Sequence, residues 1–112
     1  MTTIALEEVC ALLPGLAPEE LTLWIERRWV RAERGTGGAW GLTEMDVARV
    51  RLVAELRATL EVDEETMPLV LSLMDQLYDA RRALRALLRA LDAQPEAVRE
   101  AVLAAAGRTS PP

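Results

Sequence analysis

Few side chains in this sequence could carry out covalent chemistry. Asp75 and Asp79 stand one helical turn apart, as a carboxylate pair for acid–base catalysis could, but such pairs are commonplace on solvated helices. Cys10 is the single cysteine, and the sequence contains no histidine that could activate it as a nucleophile. The lack of histidine also removes the usual zinc sites. We therefore predict a protein that is not an enzyme and that holds no metal and no cofactor.

Cys10 is better explained as a packing residue. It shares one predicted helix face with Leu6, Val9 and Leu13, where a small apolar side chain suits a core, and a lone cysteine cannot form an internal disulfide. The apolar runs are short and interrupted by charge, and the N-terminus has no basic region followed by an apolar segment. These features predict a soluble, cytoplasmic protein without a membrane anchor.

The longest element that must position the side chains is a predicted helix over residues 64–91, about 42 Å in length. Its apolar residues alternate between heptad positions a and d, which is the pattern of a coiled-coil seam. One small domain cannot cover a helix of that length, so we predict that it forms a homodimer. The predicted dimer-interface residues are Val70, Leu73, Leu77, Ala80, Leu84, Leu87 and Leu91.

Charge along the chain predicts the orientation of the dimer and the kind of partner. Residues 61–79 carry six acids and no base, whereas residues 80–91 carry four arginines and no acid. An antiparallel copy would place the acidic half of one helix against the basic half of the other, which relieves the like-charge pairs Arg81/Arg85 and Arg85/Arg89. The net charge of −5 does not indicate nucleic-acid binding. The acidic stretch over residues 61–79 favours a basic partner.

Two short helices precede the acidic segment. Residues 6–13 have helical spacing and are stopped by Pro14-Gly15, while Pro18 and two acids open a second helix that extends to Arg28. Two helices across a tight turn have the size of a helix-turn-helix unit. Residues 29–33 and 39–42 then flank four residues rich in glycine, which predicts a β-hairpin wing whose tip needs positive φ. Residues 2–4 are compatible with either a short strand or a lead-in.

The rest of the chain is predicted to be helical. Thr43 is a suitable N-cap for a third helix that ends near Leu60, and Pro68 must lie in the first turn of the long helix. A last short helix spans residues 96–106 and stops at Gly107. The predicted organisation is a winged domain over residues 1–62, the dimerisation helix over 63–91, the short C-terminal helix within 92–107 and a flexible tail over 108–112.

The three tryptophans lie where a small winged domain needs large residues. We expect Trp24 and Trp40 to fill the core, because no basic groove accompanies them as it would in a base-stacking platform. Trp29, at the junction of helix and wing, is expected to be partly exposed. It is therefore the best candidate for an anchor at a protein interface.

The predicted order of elements resembles the MerR-type winged-helix layout, with residues 38–43 in the place of the second wing strand and the cap that follows it. More closely, residues 4–91 resemble the chaperone modulators of the CbpM type. The residues that carry this resemblance are Glu8-Val9-Cys10, Glu19-Glu20-Leu21, Trp24-Ile25-Glu26, Trp29-Val30, residues 46–52, and Val62-Asp63 leading into residues 71–78.

The resemblance implies a function that composition cannot give. Members of this family bind the J-domain of a DnaJ-like co-chaperone, CbpA, withhold it from DnaK and oppose its binding to DNA. J-domains carry a basic helix, which an acidic modulator would complement. The partner-binding residues predicted on this basis are Glu19, Glu20, Glu26, Trp29, Asp63, Glu64 and Glu65.

A MerR-like transcriptional regulator is the alternative. Its DNA contacts would come from the arginines around the wing, namely Arg27, Arg28, Arg31 and Arg34. Glu19, Glu20 and Thr22 occupy the second helix where a DNA-reading protein usually presents arginines, and carboxylates there would repel phosphates. Glu26 and Glu33 lie in the same stretch and further reduce the positive charge of the arginine cluster. DNA binding is therefore not expected.

Overall fold

Within residues 2–107, which the computed structural model describes, the chain forms five α-helices and three short β-strands. This confirms the predicted mainly helical class with a small β component. The chain divides into two compact units, one up to Leu71 and one from Ser72 onward. The elements are β1 (Ile4–Ala5), α1 (Leu6–Leu12), α2 (Pro18–Glu26), β2 (Glu33–Arg34), β3 (Trp40–Leu42), α3 (Glu44–Ala58), α4 (Met67–Asp92) and α5 (Glu96–Gly107).

The strands form one antiparallel sheet in the order β1-β3-β2. Ile4 pairs with Leu42 on one side of β3, and Arg34 pairs with Trp40 on the other. The sequence left open whether residues 2–4 form a short strand or a lead-in. A strand is present, and it begins at Ile4. The hairpin between β2 and β3 turns through Gly37 and Gly38, both at positive φ, as the glycine-rich tip predicts.

The predicted first wing strand over residues 29–33 is wrong, and so is the extension of the second helix to Arg28. α2 ends at Glu26, and β2 begins only at Glu33. The main chain of Trp29 is used elsewhere, since its N–H donates to the carbonyl of Trp24 at 3.0 Å and its carbonyl accepts from Arg49 Nε at 3.0 Å. Those groups are unavailable to a strand ladder, so Trp29 and Val30 form a buried bend instead.

α3 begins as predicted. Thr43 Oγ1 accepts a hydrogen bond from the Asp46 N–H at 3.2 Å, and Asp46 Oδ2 accepts from the Thr43 N–H at 2.9 Å. This reciprocal capping box satisfies two N–H groups that a helix start otherwise leaves without partners. α3 then buries Val50 and Val53 in the core of the first unit.

The first unit extends past residue 62, where the sequence suggested a boundary. Met67 and Leu71, in the first turns of α4, are buried in it, so the start of the long helix belongs to this core. Pro68 lies in the first turn, as required, and the helix begins at Met67 because residues 64–66 form a turn. The remaining core residues of the unit are Leu6, Val9, Leu21, Trp24, Ile25, Trp29, Val30, Leu42, Val47 and Leu56.

The second unit contains the rest of α4 and the whole of α5. α4 ends at Asp92 and α5 runs from Glu96 to Gly107, each within a residue of its predicted end. None of the described residues of this unit is buried. The flexible tail predicted for residues 108–112 lies outside the described residues.

Candidate functional site

The acidic residues that join α3 to α4 form a structured turn. Asp63 Oδ1 accepts a hydrogen bond from the Thr66 N–H at 2.7 Å, and the Asp63 carbonyl accepts from the Met67 N–H at 3.0 Å. Hydrogen bonds from the side chain and then the backbone of Thr66 lower the pKa of the Asp63 carboxyl. Asp63 is therefore ionised and directs the chain into α4.

Glu64 connects this turn to the end of α2. Its carboxylate lies 2.9 Å from the guanidinium of Arg27, and that guanidinium lies 5.2 Å from the centre of the Trp29 ring. The hydrogen bond and the charge of Arg27 lower the pKa of Glu64. Glu64 thus has a structural partner in its own chain, which reduces the negative charge that it presents to another protein.

The sequence did not single out Arg57, which also acts on this turn. Its positive charge contributes to the lowered pKa of both Asp63 and Glu64. The sequence feature that could have indicated this role is the position of Arg57 in the last turn of α3, directly before the acidic turn. Arg27 contacts this turn directly, whereas Arg57 acts on it only through its charge.

The predicted acids of α2 lie at its two ends. Glu19 and Glu20 are in the first turn and Glu26 is the last residue, about 10 Å further along the helix axis. The Arg27–Glu64 contact brings the Glu26 end of α2 to the acidic turn, whereas Glu19 and Glu20 are at the opposite end. We call Glu26, Asp63, Glu64 and Glu65 the joint patch; all four are exposed.

Trp29 does not have the predicted exposure. Only 4% of it is accessible, because the turn after α2 folds its ring toward Trp24, with ring centroids 6.5 Å apart. It is a core residue, so its assignment as a partly exposed interface anchor is corrected. Trp24 is buried as predicted, while Trp40 is half-buried under the guanidinium of Arg34, which lies 4.3 Å from its ring centre.

The arginines proposed for DNA contact are partly engaged within the chain. Arg27 contacts Glu64 and the Trp29 ring, and Arg34 lies over Trp40 and donates to the Gly38 carbonyl at 3.4 Å. Arg28 has a left-handed backbone with φ 63°. Two of the four candidate arginines are therefore held by interactions with other side chains.

A second candidate surface is the apolar face of α4 and α5 in the second unit. Leu73, Leu77, Leu84 and Leu87 are exposed, and Leu91 is half-buried. Val70, the first predicted seam residue, belongs to the first unit and is half-buried. The seam predicted from the heptads thus includes several large apolar side chains exposed in the single chain.

Two further features bear on nucleophilic and metal chemistry. Cys10 is half-buried, and burial, followed by the charges of Glu7 and Glu19, raises the pKa of its thiol. A raised pKa disfavours the nucleophilic thiolate. Over residues 2–107, no three His, Cys, Asp or Glu side chains are grouped as they would be around a metal ion.

No helix in the described part of the chain has the length and apolar character needed to cross a membrane. Comparisons of the chain with protein-family models, with curated proteins and with solved structures give no match.

Proposed function

We propose that this chain is a chaperone modulator that binds the J-domain of a DnaJ- or CbpA-like co-chaperone and inhibits its co-chaperone activity. The observation that carries this proposal is the joint patch, which consists of exposed carboxylates on the turn before α4 and of Glu26 at the end of α2. Contacts with Thr66 and Arg27 hold this turn. An acidic surface on a hydrogen-bonded turn suits a basic protein partner, because less loop freedom is lost on binding than from an unstructured loop. The resemblance to CbpM-type proteins supplies the identity of that partner.

The proposed scaffold is a MerR-like winged helix-turn-helix. α1 and α2 are joined by a short turn through Gly15, and the β2–β3 hairpin would be the wing. In this arrangement α2 would correspond to the helix that contacts DNA in a MerR-type regulator. Its first turn, however, contains Glu19 and Glu20. We propose that the same position serves protein recognition in this chain, with Glu26 extending the surface onto the acidic turn.

A J-domain would contact the joint patch mainly through its basic helix. Glu26, Asp63 and Glu65 would face its basic side chains, while Glu64 would keep its contact with Arg27. Because the attraction is between exposed charges, binding should weaken as salt screens it. Salt dependence alone does not identify the surface, so charge reversals at defined positions are needed.

The experiment measures binding of a purified J-domain to the full chain by titration calorimetry. Reversing the charge at Glu26 or Glu65 to arginine should weaken binding by roughly tenfold or more, which corresponds to about 1.4 kcal/mol. Glu55→Arg is the matched control, since Glu55 is an exposed acid of α3 outside the joint patch. Glu19→Arg and Glu20→Arg test whether the far end of α2 participates.

Two results would reject the proposal. The first is that the joint-patch variants and Glu55→Arg bind the J-domain equally well. The second is tight, sequence-specific binding of duplex DNA at physiological salt without any J-domain binding, which would favour the regulator instead. Because the first turn of α2 contains Glu19 and Glu20, whose carboxylates would repel phosphates, we expect no such DNA shift.

A further inference from the structure

The apolar side chain of Leu23, in α2, lies outside the core of the first unit. Leu21, Trp24 and Ile25 are buried on the core side of α2, whereas 38% of Leu23 is accessible. Leu23 is two residues from both Leu21 and Ile25, and two residues correspond to about 200° of rotation around a helix axis. Leu23 therefore lies on the face of α2 that is opposite these two core residues.

Charged residues surround Leu23 on the exposed face of α2. Residues three or four positions apart in a helix are neighbours, with about 5–6 Å between their Cβ atoms. The residues at this spacing from Leu23 are Glu19, Glu20, Glu26 and Arg27. The Arg27 N–H donates to the Leu23 carbonyl at 2.9 Å, so the helical geometry continues as far as Arg27. Leu23 thus has carboxylates beside it toward both ends of the helix.

This face of α2 continues into the joint patch. We call Glu19, Leu23, Glu26 and Arg27 the α2 stripe; all four residues are exposed. The guanidinium of Arg27, at the end of the stripe, lies 2.9 Å from the carboxylate of Glu64. The stripe therefore reaches the acidic turn before α4. Leu23 lies between the acids in the first turn of α2 and those of the joint patch, so it connects the two groups of acids into one surface.

An apolar residue within a ring of charges has the arrangement of a protein interface. At such interfaces a buried apolar centre is surrounded by polar groups that exclude water from it. A single exposed leucine is common on protein surfaces, so it is the carboxylates around Leu23 that indicate a partner. These carboxylates favour cations, and the one cation of the stripe, Arg27, is paired with Glu64.

We propose that Leu23 is the apolar anchor of the surface that binds the co-chaperone. The complementary segment of the partner is a basic helix that presents an apolar side chain between its cations. That side chain packs on Leu23, while the cations contact Glu19 and Glu20 on one side and Glu26 on the other. This inference rests on the proposed J-domain binding and specifies the apolar contact of that surface, a role that the buried Trp29 cannot take.

The test measures the dissociation constant of the complex between the full chain and a purified J-domain by titration calorimetry. Leu23→Gln replaces the apolar group by a polar one of similar helix propensity, and it should raise the dissociation constant by roughly fivefold or more. Leu23→Met keeps an apolar side chain of similar volume and should change it by less than about twofold.

Met45→Gln is the matched control for the loss of an exposed apolar side chain. Met45 is 77% exposed in the first turn of α3 and belongs to neither the α2 stripe nor the joint patch. Its substitution should change the dissociation constant by less than about twofold. Leu23→Ala is a second truncation that keeps a strong helix former, and it should weaken binding in the same direction as Leu23→Gln. Tryptophan fluorescence checks the fold of each variant.

Salt and temperature separate Leu23 from the acids around it. An apolar contact is not screened by salt, so Leu23→Gln should raise the dissociation constant by the same factor at low and high salt. The effect of Glu26→Arg should decrease as the salt concentration rises. Binding should also have a negative heat-capacity change, which Leu23→Gln makes less negative because less apolar surface is buried.

The outcomes distinguish this inference from the proposed function. If Glu26→Arg weakens binding while Leu23→Gln and Leu23→Ala bind as wild type or Met45→Gln does, Leu23 is not an anchor and J-domain binding stands. A Leu23→Gln effect that disappears at high salt would likewise reject an apolar contact. If wild type binds no J-domain, the proposed function and the inference both fail.

Discussion

The main-chain N–H of Trp29 donates a hydrogen bond to the carbonyl oxygen of Trp24 at 3.0 Å, while their rings lie 6.5 Å apart at 35°. The N–H of Arg28 donates to the carbonyl of Ile25 at 3.0 Å. These bonds form the Schellman motif that ends α2, and the contact between the tryptophans is its usual apolar accompaniment. The motif fixes the turn from which Arg27 reaches Glu64.

Arg28→Gly should stabilise the first unit. Arg28 occupies the position of this motif where glycine is usual, and its φ of 63° costs a residue with a Cβ atom about 1–2 kcal/mol. Part of that gain is lost because glycine has more freedom in the unfolded chain, so we expect a net increase of about 0.5–1 kcal/mol in the free energy of unfolding. Urea unfolding followed by tryptophan fluorescence measures it.

The controls separate backbone strain from loss of the arginine side chain. Arg28→Ala removes the side chain but keeps the Cβ atom, so it should not reproduce the gain. Arg31→Gly introduces glycine at an exposed position without positive φ and should be neutral or destabilising. An increase in stability from Arg28→Ala equal to that from Arg28→Gly would contradict the strain explanation.

Acidification should weaken the joint between α3 and α4. The pKa of Glu64 lies below its ordinary value of 4.5 because of the hydrogen bond and charge of Arg27, and Thr66 lowers the pKa of Asp63 from 3.8. A carboxyl with a lowered folded-state pKa contributes stability above its unfolded-state pKa and loses it as the pH falls through the folded value. Asp63 and Glu64 therefore make their full contribution to the free energy of unfolding above about pH 4.5, and this contribution decreases at lower pH.

The measurement compares wild type with Asp63→Asn/Glu64→Gln by urea unfolding between about pH 7 and about pH 3. Wild type should be more stable near neutrality, and the difference should shrink below pH 4.5, where the carboxyls become protonated. Asp75→Asn/Asp79→Asn is a control with the same charge change in the second unit. A difference between wild type and the joint variant that stays constant across the range would contradict this prediction.

Local signals in the sequence predicted much of the fold. Thr43 and Asp46 are close enough in the chain to form a capping box by themselves, and the glycines at the hairpin tip permit positive φ without help from the rest of the molecule. The end of α2 was predicted wrongly for a related reason. Arg28 occupies a position where glycine usually indicates the end of a helix. Without that glycine, the helical spacing of Arg28 with Leu21, Trp24 and Ile25 led to a predicted helix that is too long.

The candidate site was less predictable because long-range contacts build it. Nothing in the sequence near Glu64 indicates that Arg27 is its partner, and the burial of Trp29 depends on how the turn after α2 packs against Trp24. The apolar face of α4 was predictable from its repeat alone, whereas its role as a dimer interface stays a prediction. Groups of acids and apolar stripes can thus be recognised from spacing, whereas the contacts that fix or hide them depend on tertiary structure.

Gly41→Ala should destabilise the sheet. A Cβ atom at Gly41 would lie 2.8 Å from Thr3 Oγ1 and 3.0 Å from Thr3 Cβ, so the segment leading into β1 would have to move. We expect a loss of about 1–3 kcal/mol, the usual cost of overpacking. The loss should be much smaller in a Thr3→Gly background. Gly35→Ala is the control, because its Cβ atom would meet nothing closer than the Ala39 carbonyl at 3.8 Å.

Met67→Ala should destabilise the first unit far more than Met45→Ala. Met67 is 0% exposed and attaches the start of α4 to the core, whereas Met45, in the first turn of α3, is 77% exposed. Truncating the buried side chain should cost about 2–5 kcal/mol, and truncating the exposed one less than about 0.5 kcal/mol. Urea unfolding followed by tryptophan fluorescence distinguishes the two. Equal losses would show that the first turn of α4 is not part of the core of this unit, and the joint patch would then lack the fixed helix start that holds Asp63 in its turn.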